Sequence, residues 1–323
     1  MKQRTLGPES FVSSSIGLGC MGFSQGYGPV DDGESVTAIR AALDAGVDLF
    51  DTAQSYGRGH NETLLSTAIS DPSVKIATKF GIVRDDAGVR LDGKPEHVAH
   101  YCDASLRRLQ RDTIDLYYLH RVDPTVPIAD TVGAMAELVT AGKVRHLGLS
   151  EVTKAQLDAA VAVHPITAVQ FEWSMLWRVP ERTLIPHARR LGVGLVPYSP
   201  LGRGLLTATL GAADIGSSPF RASDPRFDGN ELTQNLAQVH RLEHLAQSAG
   251  ITAGQLALAW LLSRGFDIVP VPGSRKARRV IENCDAAGVT LTEDVLRRLD
   301  DAVPADGWIG DRRSFAAAVT TRT

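Results

Sequence analysis

The chain has 323 residues, 43% of them hydrophobic, and a formal net charge of −3. A core of that size needs no disulfide or metal staple. Without a basic surplus, neither nucleic acid nor an anionic membrane is the expected partner.

Cys20, Cys102 and Cys284 are few, odd in number and far apart. They read as free thiols in a reducing, cytoplasmic compartment. No cationic start leads into an apolar run, so no secretory signal is expected. The most apolar stretch, residues 255–262, is too short to span a bilayer.

Short apolar runs alternate with helical periods along the chain. Residues 15–19 are the first strand. A helix over 33–45 follows, with Val36, Ile39 and Leu43 on one face and Gly46 as its stop. Residues 48–50 and 74–78 are the second and third strands, separated by a helix over 61–69. Pro95 opens a helix whose apolar face is Val98, Cys102, Leu106 and Leu109.

Residues 114–119, 143–149, 166–171 and 193–197 are the next four strands. Helices over 128–140, 154–163 and 181–191 follow the first three of them. Residues 207–229, rich in Gly, Ser, Pro and Asp, read as one long loop inserted before helices at 231–248 and 253–263. The eighth strand is 267–270, its helix 275–287. A last helix over 293–302 leads to a tail, residues 303–323. Eight strand-helix units require parallel pairing with right-handed crossovers. Their closure gives one domain over 1–323, an α/β (β/α)8 TIM barrel; an open doubly wound sheet is the alternative.

Two motifs lack their context. Gly17-Leu18-Gly19-Cys20-Met21-Gly22 spells a dinucleotide fingerprint, but Gly26, Gly28 and Pro29 prevent the helix that should start there. It reads as a strand running into a Gly-rich turn. His240 and His244 lie in an inverted zinc-protease spacing on a charged helix with no third ligand, so no metal is expected.

The informative polar residues fall where barrel strands end, which is where catalytic groups sit. Asp51 ends the second strand, with Tyr56 in the loop beyond; Lys79 ends the third and His120 the fourth. Each charge interrupts an apolar run, a costly placement unless it is paired. Asp51 and Lys79 on adjacent strands suit an ion pair, structural or catalytic; Tyr56 and His120 on the same rim favour catalysis. An ammonium beside Tyr56 is expected to lower the phenol's pKa. Tyr56 then serves as the acid protonating a carbonyl oxygen, and neutral His120 orients that oxygen. No side chain supplies hydride, so a nicotinamide must.

The sequence resembles the aldo-keto reductases over nearly its whole length. The motifs are Asp51-Thr52-Ala53 with Tyr56-Gly57, Asn61-Glu62, Thr78-Lys79, and Asp115 to His120. Further matches are Gly142 to Arg145, Gly148-Leu149-Ser150, Gln170, Tyr198 to Leu201, and Pro272-Gly273-Ser274 with Glu282-Asn283. The likeness is greatest to the branch holding pyridoxal reductases and bacterial aldehyde reductases.

It implies a tetrad of Tyr56, Asp51, Lys79 and His120, NADPH as cofactor, and a small-molecule carbonyl as substrate; the oligomeric state is left open. It also implies that Ser150 and Gln170 hold the nicotinamide carboxamide and that Tyr198 stacks on the ring. Ser199 to Leu205, including Leu201 and Arg203, then lies along the pyrophosphate. Gly273, Ser274, Arg275 and Arg279 match the 2′-phosphate region, and Glu282 and Asn283 the adenine contacts.

Independently, Arg275, Lys276, Arg278 and Arg279 crowd one helix start. This opposes the helix dipole unless an anion binds there, and the other reading is a solvated basic helix end. Two positions depart from the family pattern. Glu151 stands where an asparagine is common, and a carboxylate cannot donate to an amide oxygen. Gly273 stands where lysine is common.

Met21, Phe23, Tyr27, Trp173 and Trp177 are candidate walls of an apolar substrate pocket, the two tryptophans equally being packing residues. No clustered arginine in those loops points to an anionic substrate. Competing roles are a cofactor-binding regulatory subunit of the same fold and a Schiff-base lyase using Lys79.

Overall fold

In the computed structural model, which describes residues 1–322, an antiparallel hairpin comes first. It pairs β1 (Gln3–Leu6) with β2 (Phe11–Ser14). Seven parallel strands then run side by side: β3 (Leu18–Gly19), β4 (Leu49–Asp51), β5 (Lys75–Phe80), β8 (Ile114–Leu119), β9 (Val144–Ser150), β10 (Ala168–Glu172) and β11 (Gly194–Tyr198). A second hairpin, β6 (Ile82–Asp85) with β7 (Gly88–Leu91), follows β5 directly. Neither hairpin is expected from periodicity, because each turns only one or two apolar side chains inward.

Residues 267–272 close the ring as its eighth strand. Val269 and Val271 donate to Leu195 and Pro197 of β11, while Gly17 and Gly19 donate to Pro270 and Pro272. The two prolines have no N–H to return, so this seam rests on their carbonyls. Gly19 lies so close that a Cβ there would sit 2.6 Å from the Val271 oxygen, and a Cβ on Gly273 would sit 2.5 Å from the Gly19 oxygen. The Gly-x-Gly motif therefore packs strands. Close approach also explains why a side chain is missing at Gly273.

The barrel interior is filled by Leu49, Ala77, Leu116, Tyr118, Ala168, Val196 and Val269. Leu6 and Phe11 of the first hairpin plug its lower end. Helices cover the outside and bury a larger apolar layer against the strands. The insertion expected as one loop over 207–229 is instead largely ordered into short helices, Ala212–Gly216 and Pro219–Ala222, and a turn, Pro225–Phe227. Its Ser218 and Asp224 cap those turns, which is why the segment reads as loop-like in composition. Among the described residues, no single helix is long and apolar enough to cross a membrane.

Candidate active site

Asp51, Lys79 and His120 stand at or just beyond the C-terminal ends of β4, β5 and β8, and Tyr56 enters from the turn after β4. Lys79 Nζ lies 2.5 Å from Asp51 Oδ1 and 2.7 Å from the Thr52 carbonyl. It is 3.5 Å from the Tyr56 hydroxyl. The Tyr56 and His120 rings meet edge to face at 5.7 Å. Ser55 Oγ is 3.5 Å from His120 Nδ1. The four expected residues thus form one cluster.

Asn61 and Glu62, seen in the sequence only as motif letters, hold this cluster from behind. Asn61 accepts from Thr52 Oγ1 at 2.6 Å and donates to the Cys20 carbonyl and Ser24. Glu62 accepts from Thr78 Oγ1 at 2.6 Å and from Arg108 at 2.6 Å. The first rim loop and the strand carrying Lys79 are both fixed this way.

Electrostatics correct one expectation. Burial pushes the Tyr56 phenol above its ordinary value, and the Lys79 charge offsets this only in part. Asp51 already balances the ammonium, and the low dielectric penalises a phenolate. Burial also opposes charge on Lys79, but the Asp51 carboxylate beside it holds Lys79 as an ammonium. His120 is held well below its usual range by burial, then by Arg121, Lys79 and Arg84. At neutral pH the cluster contains a protonated phenol and a neutral imidazole.

Ser150, Gln170 and Tyr198 stand at or near the C-terminal ends of β9, β10 and β11, on the arc of the rim that follows His120. Gln170 pairs with Ser150 in register, and Glu172 with Tyr198. Within the chain their side chains make the following contacts. Gln170 Nε2 donates to Asp51 Oδ2 at 2.7 Å. Arg121 donates to Ser150 Oγ at 3.0 Å. The Tyr198 hydroxyl donates to Glu151 Oε1 at 2.7 Å.

Glu151 takes up a role the sequence did not reveal. It receives two donors of Arg312, at 2.7 and 2.5 Å, and so anchors the tail. The tail then crosses the rim: Arg121 donates to the Phe315 carbonyl at 2.8 Å and Arg203 to the Arg313 carbonyl at 2.8 Å. Ser199 and Leu201 begin the turn that holds Arg203, which also pairs with Asp224 at 3.2 Å.

Beyond the eighth strand, Ser274 caps the next turn, its Oγ accepting from Lys276 N at 3.2 Å. Arg275 donates to the carbonyls of Tyr27 and Pro29. Arg279 lies beside Glu282, which also accepts from Thr252, and Asn283 is buried nearby. The helix Ala277–Asp285 has no acidic residue in its first turn, and Lys276 and Arg278 at its entrance are exposed. This cation-only entrance fits a phosphate-bearing cofactor.

The expected pocket walls divide. Met21 is half-buried at the rim. Tyr27 faces Phe220, with Arg221 over its ring at 5.1 Å. Phe23 and Trp173 are core residues, each 1% exposed. Trp173 donates to Glu181 at 2.9 Å and packs between Phe171 and Trp260. Trp177 is likewise buried, beneath Arg226, Arg312 and Arg322.

A phenol, an ammonium, a carboxylate and an imidazole on the C-terminal rim of a parallel barrel are the groups of a proton-transferring barrel enzyme. Residues 15–304 match the sequence profile of the Aldo/keto reductase family. "Probable aldo-keto reductase 1" of Glycine max is 41% identical over 312 residues, covering 95% of this chain and 90% of its own. The glycerol dehydrogenase AKR11B4 from Gluconobacter oxydans superposes with a TM-score of 0.84 at 30% identity, covering 93% of this chain and 94% of its own. An aldo-keto reductase from Klebsiella pneumoniae solved in complex with NADPH superposes at 0.74 and 26% identity, covering 94% of this chain and 96% of its own. The chain belongs to the aldo/keto reductase family.

Proposed function

We propose that this chain is an NADPH-dependent reductase of aldehydes and ketones, in which Tyr56 donates the proton to the carbonyl oxygen. The observation that carries this reading is the convergence of Tyr56 on the Lys79–Asp51 pair beside a neutral His120. When bound, the dihydronicotinamide supplies the hydride. Tyr56 stays protonated at neutral pH and gives up its proton as the oxygen becomes an alkoxide. Lys79, fixed by Asp51, stabilises the phenolate left behind, and His120 orients the oxygen.

Ser150, Gln170 and Tyr198 would hold the nicotinamide end. Ser199, Leu201 and Arg203 would line the pyrophosphate. Gly273, Ser274, Arg275 and Arg279 would face the 2′-phosphate, with Glu282 and Asn283 at the adenine. The cation-rich entrance to the last of these favours NADPH over NADH. Three buried free cysteines support a cytoplasmic setting.

A Schiff-base role for Lys79 is disfavoured, because its side chain is 0% exposed and remains charged. The direct test is NADPH consumption across aldehydes, ketones and pyridoxal. Turnover of several carbonyls with NADPH supports the reading. Failure to consume NADPH with any of them, while cofactor still binds, supports a regulatory subunit instead.

A further inference from the structure

The hairpin β6–β7 is part of the rim. It starts two residues after Phe80, whose carbonyl accepts from His120 N at 2.8 Å. Gly81, between them, is pressed onto the next strand: a Cβ there would lie 2.9 Å from Leu119 Cδ1 and 3.3 Å from the Arg121 oxygen. On the other side, Arg58 of the Tyr56 turn bonds Asp86 at the hairpin tip, at 2.7 Å. The hairpin is therefore tied both to the His120 strand and to the Tyr56 turn.

Strand geometry puts Ile82 and Arg84 on one face of β6, with Val83 and Asp85 on the other. Ile82 is buried, so its face is the inner one. Within the hairpin, Asp85 pairs with Arg90 and Asp86 with Arg58. Among the described residues Arg84 alone of these charges has no ion-pair partner, and its Nε is buried without any hydrogen bond. Its charge also reaches the His120 ring, where it helps keep the imidazole neutral. A half-buried cation without a carboxylate partner is suited to binding an anion brought from solution.

We propose that Arg84 is an anion-recognition residue of the substrate mouth, so that the chain favours carbonyl substrates carrying a carboxylate over uncharged carbonyls of the same shape. This rests on the reductase reading and deepens it. The carboxylate would accept from the Arg84 guanidinium, while the carbonyl oxygen lies between Tyr56 and His120. The sequence concealed this residue, because Arg84 belongs to a hairpin that periodicity does not reveal.

The test compares 3- and 4-formylbenzoate with the corresponding formylbenzamides in the NADPH-loaded enzyme. For wild type, kcat/KM is expected to be higher for at least one carboxylate than for its amide. In Arg84→Met that ratio falls about ten- to hundredfold, mainly through KM, and Arg84→Lys recovers part of it. An unchanged ratio in Arg84→Met, for both isomers, overturns the proposal. Turnover of the amides by wild type reports on the reductase reading separately. Calorimetric titration of the NADP+-loaded protein with benzoate reads the same contact without turnover: weaker binding to Arg84→Met supports the proposal, and equal binding overturns it.

Discussion

Gln170 Nε2 donates to Asp51 Oδ2 at 2.7 Å, the carboxylate oxygen that Lys79 leaves free. The two residues come from β10 and β4, well separated around the ring. Asp51 is thus held from both sides, which fixes the ammonium that faces Tyr56. Gln170→Leu leaves a buried carboxylate oxygen without its donor, and kcat at saturating NADPH is expected to fall about tenfold. Gln170→Glu should fall further, because a second carboxylate would face Asp51. Steady-state kinetics on one aldehyde checks both, and equal loss in the two variants contradicts the positioning role.

The pH profile follows from Tyr56. Burial raises the phenol, with Lys79 offsetting only part, so the protonated form persists through neutral pH. That form is the acid, so activity is lost as pH rises, not as it falls. The reductive kcat/KM should be flat from about pH 6 to 9 and decline only above the ordinary tyrosine value of about 10. A descending limb centred near pH 7 to 8 contradicts this.

Glu172 carries the buried network that joins the insertion to the tail. It bonds Arg226 at 2.5 Å and lies 3.5 Å from Arg312, while Arg226 also pairs with Asp224 at 2.6 Å. Burial works against its charge, but Arg226, Arg312 and Arg203 outweigh it and hold the carboxyl at about 2. A depressed carboxylate stabilises the fold above its unfolded value, about 4.3, and that contribution disappears as pH falls toward about 2. Glu172→Gln leaves two buried guanidinium groups underpaired and should cost about 3–5 kcal/mol at neutral pH. Denaturant melts measure it, and a loss below about 1 kcal/mol contradicts the assignment.

The barrel seam gives a paired test. Gly19→Ala forces a Cβ against the Val271 oxygen and should cost about 1–3 kcal/mol. Gly133→Ala, in the helix Ile128–Thr140 with nothing within 4 Å of the new Cβ, should be neutral or stabilise by up to about 1 kcal/mol. Similar effects of the two changes would contradict seam packing.

Asp51, Lys79 and His120 were legible in the sequence because each breaks an apolar run at a strand end. The parallel strands were legible as short apolar runs and most helices by their regular period. The hairpins were not: Leu6, Phe11 and Ile82 are too few inward residues to set a pattern. Arg312 was hidden by distance, since its partner Glu151 lies 161 positions earlier in the chain. The direction of the Tyr56 shift was misjudged because adjacency to Lys79 shows in sequence and burial does not. Phe23 and Trp173 looked like pocket walls because an aromatic near a strand end serves core and mouth equally well.

The most direct measurement is a single turnover of Tyr56→Phe, followed by NADPH absorbance with a saturating aldehyde. The phenyl ring keeps the packing and removes only the donor. The rate should fall by at least about a hundredfold while the NADPH dissociation constant stays within about twofold. A variant that reduces the aldehyde at the wild-type rate would show that the proton comes from elsewhere.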